Sequence, residues 1–180
     1  MKLEKIVVQE ELLEKARQLD EAAVSSLVKQ CYPFVFRYLY YRSTTREDAE
    51  DLTSEVFVRV VNSIKSQKGY FPAWLIRIAK NLLTDYYRKR SKSRETSLEE
   101  IKEPFLNSDE EKRDNLYLGD IRRMLDILTE EQKEMIILKF IEGNTNEEIA
   151  KIMNKSIGAI KALQFRALLA LRRNLKKGVI

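Results

Sequence analysis

The chain contains 180 residues, with 33 Lys or Arg against 28 Asp or Glu, a single cysteine and no histidine. The single cysteine excludes an intramolecular disulfide, and the lack of histidine excludes imidazole catalysis and a zinc site of Cys and His ligands. No apolar run approaches the roughly 20 residues that span a bilayer, and the N-terminus lacks the apolar core of a signal peptide. We therefore expect a cytoplasmic protein with no membrane insertion, no cofactor and no bound metal.

Three prolines and five glycines in the whole chain, together with many Leu, Glu, Lys and Ala, predict an all-α fold. Basic residues are in excess before residue 91 and after residue 118, whereas acidic residues are in excess between them. This placement indicates two surfaces that contact a polyanion and a segment that does not. We predict two small helical domains, at residues 9–92 and 119–177, joined by a flexible linker at residues 93–118.

Residues 9–42 predict two helices, because apolar residues recur at helical spacing. Pro33 lacks a backbone donor, which predicts a kink or a restart in the second helix. Cys31 is interpreted as a small buried apolar residue, with a redox role as the less favoured alternative. The two apolar stripes are Leu12, Leu13, Ala16 and Leu19, followed by Val24, Leu27, Val28, Cys31, Val35 and Leu39.

A third helix is predicted from Asp48 to about Ser63, with Thr45 and Asp48 available to cap its start. Its apolar stripe is Ala49, Leu52, Val56 and Val60, and its exposed face carries Glu50, Asp51, Ser54, Glu55 and Arg59. The cluster of carboxylates has a second interpretation as a magnesium site. Acidic residues are expected in the first turn of any helix, and no Gly-rich phosphate loop accompanies them, so we favour the first interpretation.

Residues 71–94, FPAWLIRIAKNLLTDYYRKRSKSR, predict a long helix with a basic face and aromatic residues at both ends. Cations that track the backbone and rings that stack on unpaired bases are what single-stranded DNA binding requires. The alternative keeps Phe71 and Trp74 in the core and leaves the charges solvated, and the residues alone leave both open. The apolar face is Leu75, Ile78, Ala79, Leu82 and Tyr86, and the basic face is Arg77, Lys80, Asn81, Thr84 and Arg88.

Residues 95–118 carry scattered acids, one proline and little apolar periodicity, which is typical of a linker. Two further helices follow at 120–128 and 130–141, with Gly143 as the stop after the second. They are predicted to pack through Ile121, Leu125, Leu128, Ile136, Ile137 and Phe140.

Residues 145–173 predict two helices joined by a tight turn. Thr145 and Glu148 have the spacing of a capping box, Asn154 suits the left-handed residue that ends a helix, and Ser156 can cap the next one. From Ile149 onward the chain has eight Lys or Arg and no acid, which suits a helix that lies against phosphates. In the second helix Ile160, Leu163, Ala167, Leu168 and Leu171 are expected in the core.

The stretch ILKFIEGNTNEEIAKIMNKSIGAIKALQFRALLALRR closely resembles the region 4 helix-turn-helix of bacterial RNA polymerase sigma factors, most of all those of the extracytoplasmic-function (ECF) group in the sigma-70 family. DAEDLTSEVFVRV resembles sigma region 2.2, and residues 71–94 resemble regions 2.3 and 2.4. Many members carry Ser-Arg-Leu at 162–164 and His at 165, where this chain has Ala-Leu-Gln and Phe165. We interpret this departure as an altered promoter preference.

The resemblance implies a protein that binds core RNA polymerase, through the β′ clamp coiled coil and the β flap, and directs it to promoter DNA. It also adds an anti-sigma factor as a candidate partner. The implied polymerase contacts are Asp48, Asp51, Leu52, Glu55, Val56 and Arg59. The implied −10 contacts are Phe71, Trp74, Arg77, Lys80, Asn81, Asp85, Tyr86, Arg88, Lys89 and Arg90. The implied −35 contacts are Lys155, Ser156, Gly158, Ala159, Lys161, Ala162, Phe165 and Arg166.

Two other function classes stay open at this point. A DNA-binding regulator could use the helix-turn-helix without binding polymerase, but it has no need for a second basic and aromatic helix. A helical enzyme with a carboxylate-bound metal is the more remote alternative. The ECF sigma factor, which is not itself an enzyme, is the function that we predict.

Overall fold

The computed structural model describes residues 6–96 and 121–175, which form two compact units on either side of residues 97–120. Every regular element in these two ranges is helical, which confirms the all-α prediction. The predicted domain boundaries stay predictions, because most of the proposed linker lies outside the described residues.

The N-terminal unit, residues 6–96, contains four α-helices and one 3₁₀ turn at Ile64–Ser66. α2 packs on α3, α3 packs on α4, and α1 packs on α2. The fourth helix continues to Thr96, beyond the predicted start of the linker. The helices are α1 (Glu10–Arg17), α2 (Glu21–Tyr40), α3 (Arg46–Ser63) and α4 (Phe71–Thr96).

Side-chain caps fix the starts of α2 and α3. The Ala23 backbone N–H donates to Asp20 Oδ1 over 2.8 Å at the start of α2. Thr45 and Asp48 form the predicted capping box, in which each side chain accepts from the other residue's backbone N–H. Both caps satisfy backbone donors that a helix leaves unpaired at its first turn.

The core of the N-terminal unit contains the predicted apolar stripe of α3 in full. Ala49, Leu52, Val56 and Val60 are all buried, as are Leu27, Cys31, Val35 and Leu39 of α2. α2 continues through Pro33 without a break, so a restart there is wrong. Burial raises the pKa of the Cys31 thiol to about 12. The thiol is therefore protonated at neutral pH, as a small apolar core residue requires.

Leu19 departs from its predicted core position, because α1 ends at Arg17 and Leu19 lies beyond it, 41% exposed. Its φ of 62° is in the left-handed region. The backbone N–H groups of Leu19 and Asp20 donate to the carbonyls of Ala16 and Lys15, at 3.0 and 3.2 Å. This is the Schellman end of a helix, with leucine where glycine is usual.

We expect Leu19→Gly to raise the free energy of unfolding of the N-terminal unit by about 0.5–1 kcal/mol. A left-handed L-residue costs about 1–2 kcal/mol, and part of the relief is offset because glycine loses more backbone entropy on folding. Chemical denaturation of the full chain measures the change. Leu19→Ala is the matched control, since it shortens the side chain but keeps the Cβ strain. Equal stabilisation by both substitutions would contradict the strain argument.

The C-terminal unit contains α5, described over residues 121–126, and α6 (Glu130–Ile136), which continues into a π-helical turn at Ile137–Ile141. After Gly143, at a φ of 67°, come α7 (Asn146–Met153) and α8 (Ile157–Leu175). α6 and α7 both pack against α8. Thr129 and Gln132 form a capping box at the start of α6, which the sequence analysis did not anticipate.

The core of this unit confirms most of the predicted apolar positions and corrects two. Leu125, Leu128, Ile136, Ile137, Ile160, Leu163 and Ala167 are buried, Ile121 and Leu171 are half-buried, and Phe140 and Leu168 are 50% and 42% exposed. The π-helical turn explains Phe140, because its wider turn departs from the 3.6-residue period and directs Leu138 inward in its place. Leu168 is exposed because its neighbour Ala167 occupies the buried position in that turn of α8.

Candidate functional site

The exposed face of α3 is acidic and spans two turns. Asp51, Ser54, Glu55 and Arg59 are exposed, and Glu55 pairs with Arg59 one turn later, at 2.7 Å. Leu52 and Val56, predicted as polymerase contacts, are 7% and 0% exposed. Their side chains hold α3 in the core, whereas Val58 and Val61 are 59% and 38% exposed, so the surface available to a partner combines the polar residues with two valines.

Asp48, a predicted polymerase contact, faces α4. The Tyr86 hydroxyl donates to Asp48 Oδ2 over 2.8 Å, and Arg90 Nη1 donates to the Tyr86 hydroxyl over 3.0 Å. The structure therefore joins one residue predicted for the polymerase surface to two residues predicted for the −10 surface.

The exposed face of α4 is basic, as predicted. Arg77, Lys80, Asn81, Thr84, Arg88 and Lys89 are exposed, and Arg88 pairs with the half-buried Asp85 at 3.0 Å. Cations spaced one turn apart on a single helix face can follow a phosphate backbone. This face is the part of the N-terminal unit that is best suited to a nucleic acid.

The aromatic residues of α4 are less available than predicted. Phe71 is 4% exposed and packs against Trp74, with ring centroids 5.8 Å apart, so Phe71 belongs to the core and Trp74 is half-buried. Tyr86 is half-buried, whereas Tyr87 is 45% exposed and lies edge-on to Tyr86. Tyr87 was predicted as an aromatic residue at the end of this helix but not as a −10 contact, and it continues the exposed face of Lys80 and Thr84.

α7 and α8 form the predicted helix-turn-helix. Asn154 adopts the left-handed conformation, with φ 51° and ψ 51°, and ends α7. The Ala159 backbone N–H donates to Ser156 Oγ over 3.2 Å, so Ser156 caps α8. Lys155, a predicted DNA contact, pairs with Glu131 of α6 at 3.0 Å. This ion pair links the turn to the supporting helix, and the sequence analysis did not identify Glu131.

The outer face of α8 carries the remaining predicted −35 residues. Gly158, Ala159, Lys161, Ala162, Phe165 and Arg166 are all exposed, while Ile160 and Leu163 are buried on the opposite side. Phe165 is 68% exposed, so it does not contribute to the core of the unit. A Cβ at Gly158 would meet only Ser156 Oγ, at 4.0 Å, so no packing contact in the described residues requires glycine there.

One acidic side chain lies near this basic face. The pKa of Glu147 is below its usual value, because its carboxyl accepts hydrogen bonds from its own backbone N–H and from the Thr145 side chain, and Lys161 and Lys139 add attraction. Glu147 is therefore ionised at neutral pH. A DNA phosphate would compete with it for Lys161.

Within residues 6–96 and 121–175, no group of three or more Cys, Asp or Glu side chains is placed to hold a metal ion. No helix in these two ranges is long and apolar enough to cross a membrane.

Comparison with known proteins identifies a sigma-70 family region in each unit. The sigma-70 region 2 family matches residues 27–93, and the sigma-70 region 4 family matches residues 118–171. The chain is 36% identical to the ECF RNA polymerase sigma factor BldN of Streptomyces coelicolor, over 91% of this chain but only 64% of BldN, so it spans less than two thirds of that relative. It is 30% identical to the ECF RNA polymerase sigma factor SigX of Bacillus subtilis, over 79% of this chain and 78% of SigX.

A solved structure has the same fold. CnrH, in complex with the cytosolic domain of CnrY, superposes with a TM-score of 0.73 at 22% identity, over 92% of this chain and 96% of CnrH. The basic face of α4, the helix-turn-helix of α7 and α8, and the matches to both sigma regions lead to one conclusion. The chain belongs to the extracytoplasmic-function group of sigma factors in the sigma-70 family.

Proposed function

We propose that this protein binds core RNA polymerase, directs it to the −35 and −10 elements of promoters and helps to melt the DNA. In this proposal the acidic face of α3 contacts the β′ clamp coiled coil, the basic face of α4 binds the −10 strand, and α8 enters the major groove at −35. The C-terminal unit also contacts the β flap. The protein is not itself an enzyme, and it acts in the cytoplasm, where the polymerase transcribes.

The observation that supports this proposal best is the presence of two separate basic surfaces, on α4 and on α8, together with an exposed acidic face on α3. A regulator that does not bind polymerase needs only the helix-turn-helix. An inhibitory protein partner, an anti-sigma factor, is part of the proposal as well. The solved CnrH structure contains a second protein, the cytosolic domain of CnrY, which supports a protein partner for this fold.

Transcription in vitro with core polymerase over a random promoter library tests the proposal. We expect transcripts whose start sites follow a common pair of elements, and none from core polymerase without this protein. Sequence-specific DNA binding with no promoter-dependent transcript would favour the alternative, a regulator that does not bind polymerase.

We expect Lys161→Ala to relax the preference at one base pair of the −35 element by about 1–3 kcal/mol, because Lys161 lies on the exposed face of α8 near its start. Arg172→Ala, farther along α8, is the control. If Arg172 contacts a phosphate, its loss weakens all sequences alike and lowers the salt slope by about one.

Binding to single-base −35 variants at two salt concentrations distinguishes these outcomes. If Lys161→Ala left both the base profile and the salt slope unchanged, the base-reading face would have to lie elsewhere on α8.

A further inference from the structure

A single carboxylate oxygen connects the start of α3 to the second half of α4. Asp48 Oδ2 accepts from the Thr45 backbone N–H at 3.0 Å and from the Thr45 hydroxyl at 2.6 Å, within the capping box. The same oxygen accepts from the Tyr86 hydroxyl at 2.8 Å and lies 4.0 Å from Arg90 Nη1. The capping box holds this carboxylate in place, so α4 meets a fixed acceptor.

The position of Asp48 separates it from the acidic face of α3. The side chain is 26% exposed and is occupied by partners from α4, whereas Asp51 and Glu55 are exposed on the outer face. The Tyr86 hydroxyl also contacts Thr44 Oγ1, at 3.1 Å. The contacts of Asp48 therefore serve α4, and a partner docked on α3 would have little access to them.

Arg90 is the residue that this arrangement orders. Nη1 donates to the Tyr86 hydroxyl at 3.0 Å and lies near Asp48, and the side chain is 34% exposed. A guanidinium carries five donors, so an anchor at Nη1 leaves the other donors for a phosphate. Ordering a long side chain before binding strengthens the complex by about threefold to tenfold, because less rotamer freedom is lost.

We propose that Asp48 is a positioning residue for the −10 DNA surface, which holds Arg90 through Tyr86 in an orientation ready for a DNA phosphate. The inference rests on the proposed function, since it requires α4 to bind promoter DNA. It reassigns Asp48 from the polymerase surface, where the family resemblance had put it.

Arg88 supplies the matched comparison. It is 69% exposed on its side chain and pairs with Asp85 in its own helix, at 3.0 Å. Arg88 thus has the same charge and lies on the same helix as Arg90, but its ion pair is local to α4. Asp48 should influence Arg90 and leave Arg88 unaffected.

The experiment measures the affinity of the reconstituted holoenzyme for a promoter template whose −10 region is already unpaired. The variants are Asp48→Asn, Arg90→Gln and Arg88→Gln, and the two double variants that contain Asp48→Asn. We expect Asp48→Asn alone to lower the affinity about fivefold, to add nothing to Arg90→Gln, and to add its full effect to Arg88→Gln, because coupling appears only between residues that interact.

Two readouts separate positioning from a structural defect. Asp20→Ala removes the cap of α2 without touching Asp48, Tyr86 or Arg90, and it should lower the melting temperature while leaving template affinity unchanged. Affinity for core polymerase should be unchanged by Asp48→Asn. Equal loss of template affinity in Asp20→Ala and Asp48→Asn, or additive effects of Asp48→Asn and Arg90→Gln, would overturn the inference.

Failure of the proposed function looks different. If the wild-type holoenzyme bound the unpaired template no better than core polymerase does, the promoter role itself would be wrong. If the wild type bound well but Arg90→Gln had no effect, the promoter role would stand. Asp48 would then have no contact to position, and the inference would be overturned.

Discussion

The double charge reversal of Asp51→Arg with Glu55→Arg is expected to lower the affinity for core polymerase about 100-fold, because like charges placed together at an interface cost several kcal/mol. Both side chains are exposed on α3, so the N-terminal unit should keep its fold. The change also removes the exposed ion pair of Glu55 with Arg59, but such pairs contribute little to stability.

Fluorescence anisotropy with labelled protein and core polymerase measures this effect. The matched control is Glu14→Arg with Glu21→Arg, which makes the same change in net charge at exposed positions of α1 and α2. If the acidic residues act only through long-range attraction, both double variants should bind core polymerase more weakly by a similar factor. If α3 carries a docking face, only the α3 variant should bind more weakly. Unchanged affinity of the α3 variant would remove this face from the polymerase interface.

Ile160→Ala should destabilise the C-terminal unit far more than Phe165→Ala, although both shorten a large apolar side chain on α8. Ile160 is 0% exposed and Phe165 is 68% exposed. Loss of a buried isoleucine side chain costs about 2–5 kcal/mol. A unit of this size has a total stability of only roughly 3–8 kcal/mol, so much of it should unfold. Phe165→Ala should change stability by less than about 0.5 kcal/mol.

Thermal unfolding and binding to a −35 duplex, measured on the same samples, check this pair. We expect Ile160→Ala to lose DNA binding together with the folded C-terminal unit. Phe165→Ala should keep the fold, and any change in its base preference then reports on a direct contact, such as one with a thymine methyl. A marked loss of stability in Phe165→Ala would mean that its ring is covered in the folded protein.

The capping residues and the apolar stripes could be predicted because they depend on neighbours within one turn of helix. Thr45 with Asp48, Thr145 with Glu148, and Asn154 all take their predicted roles, since each makes its hydrogen bonds locally. The buried stripe of α3 and the buried Ile160 and Leu163 of α8 follow from the 3.6-residue period in the same way. The predicted −35 residues other than Lys155 are exposed for the same reason.

The errors arose where local geometry departs from the regular helix. The period assigned Leu19 to the core, but the helix ends before it in a left-handed turn. Phe140 was assigned to the core by the same period, and a π-helical turn directs it outward. The residue types do not predict either departure. Leucine is rare at a left-handed position, and a π-helical turn can form from ordinary apolar residues.

Residue type and spacing along one helix are enough to predict most of the helices, the caps at Thr45, Thr145 and Ser156, the resemblance to two sigma regions and the charge of each candidate surface. Which of the predicted contact residues can reach a partner depends on the tertiary structure. Leu52, Val56 and Phe71 are in the core, Lys155 pairs with Glu131, and Asp48 turns toward Tyr86 and Arg90. These contacts join residues of different helices, and the spacing within one helix carries no information about them.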